Sequence, residues 1–236
     1  MDKIFDVTYI FHSIPLIAKA LPLTLFIMIL SLFFGLILGL LLTAMKLKNN
    51  IIINSIANGY VAFIRGTPPL LQLFLVFYGL PLVVHSIGID INDWDKVVFA
   101  IITFSLNSSA FLSEVMRSAY LAVDVGQREA ALSIGMNTIQ TITRVIIPQA
   151  FVIAVPNLGN LIISLLKETS YVFTIGVIDI LGKAKLIGAN GYGVRQLEVY
   201  IGVAFIYWAI CLIIEKMISL YEHMHTSKFL KNNADH

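Results

Sequence analysis

Between Lys19 and Lys46 the chain carries no charged residue. About 20 apolar residues in a helix cross the hydrocarbon core of a bilayer, so this block is a membrane span with residues to spare. The rest of the chain agrees. Of its 236 residues, 58% are hydrophobic and 13% charged, where a soluble domain has about 45–50% and about 25%. That excess falls in long blocks and is too large for a single buried core.

Five blocks are expected to span. The first is followed by the basic turn Lys46-Leu47-Lys48-Asn49-Asn50. The second runs from Ile56 to about Val84 and is interrupted by Arg65 and by Pro68-Pro69, which remove helical donors and predict a break or kink. The third, Val97 to about Tyr120, follows the acidic loop from Asp90 to Asp95. The fourth is the charge-free stretch Val145 to Leu166, and the fifth runs from about Val199 to Ile214 between Glu198 and Glu215. A glycine-rich loop with short helical pieces is expected from Lys167 to Arg195, and a frayed polar tail from Lys228 to His236. The chain thus divides into an outer N-terminal segment (1–19), a transmembrane domain (20–222) and a cytoplasmic tail (223–236).

Lys and Arg in short loops set orientation. Lys46, Lys48, Arg117, Arg128, Arg144, Lys216, Lys228 and Lys231 fall on one side, which is expected to be cytoplasmic. The loop from Asp90 to Asp95 falls on the other, with Trp94 as an interfacial anchor; Lys183, Lys185 and Arg195 run against the count. The N-terminus is therefore expected outside and the C-terminus inside. Met1-Asp2-Lys3 does not open a cleavable leader, so the first block is expected to stay as a span. The net charge is +2 with the basic residues scattered, so nucleic acid is not an expected partner. The lone Cys211 excludes an internal disulfide.

The polar stretch 124–148 separates the third and fourth spans. Asp124 with Gln127, and Asn137 with Gln140, each have capping-box spacing. Gly135 lies between them and can take the turn that ends a helix. Two short helices meeting at an elbow are predicted. Such a pair can lie on the membrane surface or meet a partner, and the small patch Ala130-Ala131 after Glu129 favours the partner.

The spacing Glu129-Ala130-Ala131, three residues, Gly135, nine residues, then Val145-x-Ile147-Pro148 resembles the loop shared by ABC importer permeases. Val145 and Ile147 stand where the common pattern has Ile and Leu. Arg65-Gly66-Thr67-Pro68-Pro69-Leu70-Leu71-Gln72 and Glu114-Val115-Met116-Arg117 resemble the polar amino acid branch, and the likeness runs through Lys167-Glu168-Thr169-Ser170 to the last span. The resemblance implies an all-α permease of the type I importer fold. It implies that Glu129, Ala130, Ala131, Gly135 and Pro148 belong to a coupling helix docking on a cytoplasmic ATPase dimer, which holds the ATP and Mg²⁺. A second permease subunit, an outer solute-binding protein and an amino acid substrate are implied as well. The stretch after Leu166 looks most like L-cystine and sulfur amino acid permeases.

Ionisable residues at membrane depth usually face a bundle interior or a cavity. The candidates for a substrate path are Arg65, Thr67, Pro68, Asn107, Glu114, Lys167, Glu168, Thr169 and Ser170. Each has a structural alternative. Arg65, near the start of span two, can snorkel to headgroups. Asn107, with Ser108 and Ser109, can hydrogen-bond between helices, as can Asn157 and Asn160. Glu114 and Arg117 can pair with each other, and Lys167 with Glu168. Gly35 and Gly39 share a face that suits close helix approach, though small residues are common in any span. His223 and His225 are expected to be solvated, and no Cys/His cluster has metal spacing. The chain has no phosphate loop of its own, so energy is expected from another polypeptide. A self-contained secondary transporter or channel would explain the spans but not the 124–148 loop. A membrane-anchored scaffold would need no pathway at all, and predicts that mutating Asn107 or Glu168 leaves uptake unchanged.

Overall fold

The computed structural model describes residues 5–190 and 193–234, with side chains to Met224. Met1 to Ile4 and the His225 side chain therefore lie outside the described residues. The described chain is helical without strands. In order it comprises α1 (Val7–Ala18), α2 (Leu21–Leu47), α3 (Ile51–Gly66), α4 (Pro69–Phe74), α5 (Leu80–His85), α6 (Lys96–Leu121), α7 (Val125–Ser133), α8 (Thr138–Thr141), α9 (Ile147–Glu168), α10 (Ile180–Asn190) and α11 (Gln196–Ala234). Four helices are long and apolar enough to cross a membrane, and the bent pair α3 to α5 makes a fifth.

The bundle is organised around α6. Its apolar stretch is 61% buried, against 28% for α2, and its inner face carries Thr103, Ser105, Ser108, Ser109 and Ser113. Each of these hydroxyls donates to a backbone carbonyl one turn back, for example Thr103 to Phe99 at 2.8 Å and Ser108 to Phe104 at 2.6 Å. A small side chain with its proton already placed lets a neighbouring helix come close. That neighbour is α2. Its buried positions Thr24, Ile27, Met28, Ser31, Gly35, Gly39 and Thr43 recur at helical spacing, while Phe26, Ile29, Phe33, Ile37 and Leu40 point outward. A Cβ on Gly35 would fall 2.1 Å from Ser108 Oγ, and one on Gly39 would fall 3.1 Å from Leu112 Cβ. The glycine face thus sets the α2–α6 distance. Ile27, Leu73, Phe104, Leu166 and Val172 form the main core behind it.

Three elements differ from the sequence expectation. The second short helix of 124–148 does not end: α8 passes through a π-helical turn (Ile142–Ile146) directly into α9. Widening the helix just before Pro148 accommodates the proline ring without stopping the chain. The same device, Leu75–Gly79, precedes Pro81 in the second span. Next, Lys167 to Arg195 is more regular than a loop, with a 3₁₀ turn (Thr169–Ile175) before α10. Last, the tail expected to fray is continuous helix as far as Ala234. At the other end, α1 docks on α11. The Asp6 backbone N–H donates to Glu198 Oε1 at 3.0 Å, and Arg195 reaches both carboxylates.

Candidate functional site

The second span breaks between α3 and α4 by 107°. The cause is local chemistry. In a continuous helix the N–H of residue 68 would bond the Ile64 carbonyl, but Pro68 has none. Thr67 and Pro68 turn extended (ψ 143° and 136°). One turn on, the Gln72 side chain fills the gap: Nε2 donates to Ile64 O at 2.8 Å, to Thr67 O at 3.1 Å and to Thr67 Oγ1 at 2.8 Å. The Thr67 hydroxyl donates to Phe63 O at 2.9 Å. Gln72 Oε1 in turn accepts from Asn107 Nδ2 of α6 at 2.8 Å. The break is thus a satisfied polar knot, tied to the central helix.

On the far side of Asn107 lies a cavity of about 120 Å³, lined by Leu32, Asn107, Ser108, Phe111, Ser164 and Glu168 among others. Ligand sites run from about 300 Å³ upward, so this space admits part of a small solute and must widen for the whole. Asn107 is buried and Glu168 half-buried. Among the described residues the Glu168 carboxylate has no hydrogen bond or ion pair; the adjacent Lys167 acts on it through charge alone, and Glu168 lines the cavity. Arg65 sits in the last turn of α3, at the break rather than near the start of the span. Its guanidinium stands 5.8 Å from the Phe111 ring, a cation–π distance.

The candidate path residues therefore separate. Asn107 and Glu168 share the cavity; Thr67 and Pro68 stand behind it through Gln72; Arg65 reaches it through Phe111. Glu114 lies elsewhere, bonded to Lys46 of α2 and to Arg117 at 3.0 Å. The expected pair with Arg117 is present, but Lys46 is the buried partner. The Thr169 hydroxyl donates to Leu166 O at 2.6 Å and serves the backbone. Lys167 is exposed and Ser170 half-buried, and neither lines the cavity. Gln72, Phe111 and Ser164 were missed from the sequence. Gln72 had a signal in its position four residues after Pro68.

In the 124–148 loop, Asp124 caps α7 by accepting from Gly126 N at 2.6 Å, without the reciprocal arm from Gln127 that its spacing predicts. Asn137 and Gln140 form both arms of a capping box. Gly135 has φ +87°, the left-handed elbow that a residue with a Cβ resists. Glu129 and Ala130 are exposed and Ala131 is buried. Val125, Ile134 and Ile139 are 68%, 78% and 74% exposed. Pro148 is exposed in the first turn of α9.

Residues 31–223 match the family described as binding-protein-dependent transport system inner membrane component. The chain is 43% identical to the L-cystine transport system permease protein TcyL of Bacillus subtilis (strain 168), over 91% of this chain and 89% of that one. It is 33% identical to the glutamine transport system permease protein GlnP of Escherichia coli (strain K12), over 92% and 96%. A crystal structure described as an amino acid ABC transporter with histidines superposes with TM-score 0.81 at 35% identity, covering 93% of this chain and 99% of that one. An inward-facing MetNI methionine ABC transporter superposes at TM-score 0.67 and 18% identity, over 87% and 95%, a likeness of fold alone.

Proposed function

Because the chain belongs to the binding-protein-dependent transport system inner membrane components, as a non-enzymatic permease subunit of an amino acid ABC importer, we propose that it carries L-cystine or a closely related amino acid inward. The observation that carries this reading is the meeting of Asn107 and Glu168 in one cavity behind the broken span. Identity to an L-cystine permease supports the choice of substrate. In this reading a second permease subunit, the same chain or a similar one, completes the pathway. The binding protein docks outside, on the face of the Asp90–Asp95 loop and the N-terminal segment 1–19, and the tail 223–236 lies in the cytoplasm. ATP and Mg²⁺ are held by the ATPase dimer. Closure of that dimer draws in the loop around Glu129 to Gly135, up to Pro148. The transmembrane domain 20–222 then favours its outward-open state and accepts the amino acid; reopening releases it inside.

The test is uptake of radiolabelled cystine, glutamine, arginine and histidine by cells expressing the intact operon. The comparison is a Glu129→Arg, Gly135→Asp variant of matched membrane level. Accumulation of cystine that the variant abolishes is the expected result. Normal transport by the variant sinks the coupling assignment and leaves an ATP-independent transporter as the better account. Accumulation of another amino acid keeps the importer and corrects the substrate.

A further inference from the structure

We infer that Gln72 is a positioning residue for substrate recognition: it fixes which atom Asn107 turns to the cavity, an acceptor oxygen aimed at the ammonium group of an amino acid. The inference rests on the reading of that cavity as the substrate site.

An amide side chain can be placed either way round, so its neighbours must decide its polarity. Around Gln72 Nε2 stand Ile64 O, Thr67 O and Thr67 Oγ1, all within 3.1 Å. Both carbonyls can only accept, and the Thr67 hydroxyl proton is already engaged on Phe63 O. Reversing the amide would set oxygen against two carbonyl oxygens and leave Ile64 O, already deprived of a helical donor by Pro68, with only the Thr67 hydroxyl at 3.5 Å. Gln72 Oε1 must therefore face α6. There it meets Asn107 at 2.8 Å, and only the Asn107 amino group can make that bond. Asn107 Oδ1 is consequently the end left for the cavity.

The polar lining is then mainly of acceptors, with the Ser164 hydroxyl able to donate or accept. Glu168 contributes a carboxylate. Ser108 spends its proton on Phe104 O and its Oγ is directed at Gly35 of α2, so it offers the cavity no donor. Asn107 adds Oδ1. A carboxylate and an amide oxygen around a small space suit a compact cation with several N–H donors, and an α-ammonium group is such a cation. The order of cause runs from Pro68, through the orphaned Ile64 carbonyl, to Gln72, to Asn107, to the substrate.

The experiment is equilibrium binding of radiolabelled L-cystine, glutamine, arginine and histidine to the purified permease–ATPase complex in nanodiscs. Competition by the α-hydroxy analogue of the bound amino acid, which lacks the ammonium, is measured alongside. Loss of a hydrogen bond to a charged group corresponds to about tenfold to a hundredfold in affinity. Gln72→Leu is expected to weaken amino acid binding by that factor and to leave the α-hydroxy analogue nearly unaffected. The Gln72→Leu, Asn107→Leu double variant is expected to bind no more weakly than Asn107→Leu alone, because the first residue acts through the second. Gln72→Glu covers the case in which leucine at the break prevents folding. Its buried carboxyl, when protonated, donates to Ile64 O while its carbonyl accepts from Asn107, so the preference for the amino acid over its analogue should survive. Additive losses, or equal losses for the amino acid and its analogue, reduce Gln72 to a structural brace and overturn the proposal. Unchanged binding in Asn107→Leu overturns the reading of the cavity itself, and the role of Gln72 falls with it.

Discussion

The cluster of Lys46, Glu114 and Arg117 allows a sharp comparison of two variants at one ion pair. The Lys46 side chain is 2% exposed, that of Glu114 25%, and that of Arg117 36%. Glu114→Gln strands the Lys46 ammonium, which has no other carboxylate within ion-pair distance among the described residues. Leaving an uncompensated buried charge costs about 3–5 kcal/mol. Lys46→Met removes the buried charge itself and leaves Glu114 with Arg117 and partial solvent contact, so it should cost only about 1 kcal/mol. At roughly 2–4 °C per kcal/mol for a chain of this size, Glu114→Gln should unfold at least about 6 °C earlier and Lys46→Met a few degrees earlier. The double variant Lys46→Met, Glu114→Gln should recover most of the larger loss. Cys211, the single cysteine, packs against the main core. Its labelling by a thiol-reactive dye during heating of the detergent-purified protein therefore reports unfolding. Equal losses in the two single variants, or a double variant as unstable as Glu114→Gln, would refute the assignment of Lys46 as the charge that needs a partner.

Three further outcomes are expected. Gly35→Ala places a Cβ 2.1 Å from Ser108 Oγ and 3.2 Å from Ser108 Cβ; the overpacking should cost about 1–3 kcal/mol, largely relieved by Ser108→Ala, in the same thermal assay. Gly135→Val forces a β-branched residue to φ +87°, a strain of about 1–2 kcal/mol; uptake should fall severalfold at constant membrane level, and unchanged uptake would show that the elbow tolerates other backbones. Asp90 titrates below its ordinary 3.8 because the Asn92 backbone and side chain both donate to it. A lowered carboxyl pKa means that the turn is fully supported above about pH 4. That support is lost as the pH falls through the lowered value. Carbon NMR of labelled aspartate should show the midpoint rising in Asn92→Ala.

The spans were legible because charge is costly in lipid and the sequence concentrates it between blocks. The same logic exposed the broken second span, since Pro68-Pro69 removes two donors in a row. The Asn137 and Gln140 cap and the Gly135 elbow were legible as local chemistry within four residues. What stayed hidden depends on residues far apart in the chain. Lys46 and Glu114 are 68 positions apart, and Gln72 and Asn107 35 apart. Neither pairing has a local trace, although both charged members and Asn107 stood out singly. The continuity of α8 with α9 was hidden for another reason: Pro148 reads as a stop, and a single wide turn before it removes the clash. The full length of α11 was obscured by Glu215, Lys216 and Glu222, which a window for apolar runs treats as an end.

On the proposed coupling role of the elbow, that unbroken passage from α8 to α9 would make the chain a lever. The helix from Thr138 to Glu168 is roughly 45 Å long at 1.5 Å per residue, with the exposed elbow at one end and the cavity carboxylate at the other. A tilt of about 10° at the elbow would displace the far end by roughly 8 Å. Pro156, inside α9, would then govern how much of that stroke arrives as rigid swing and how much is absorbed as bend. The stiffness of one proline turn would set the gearing between fuel and cargo.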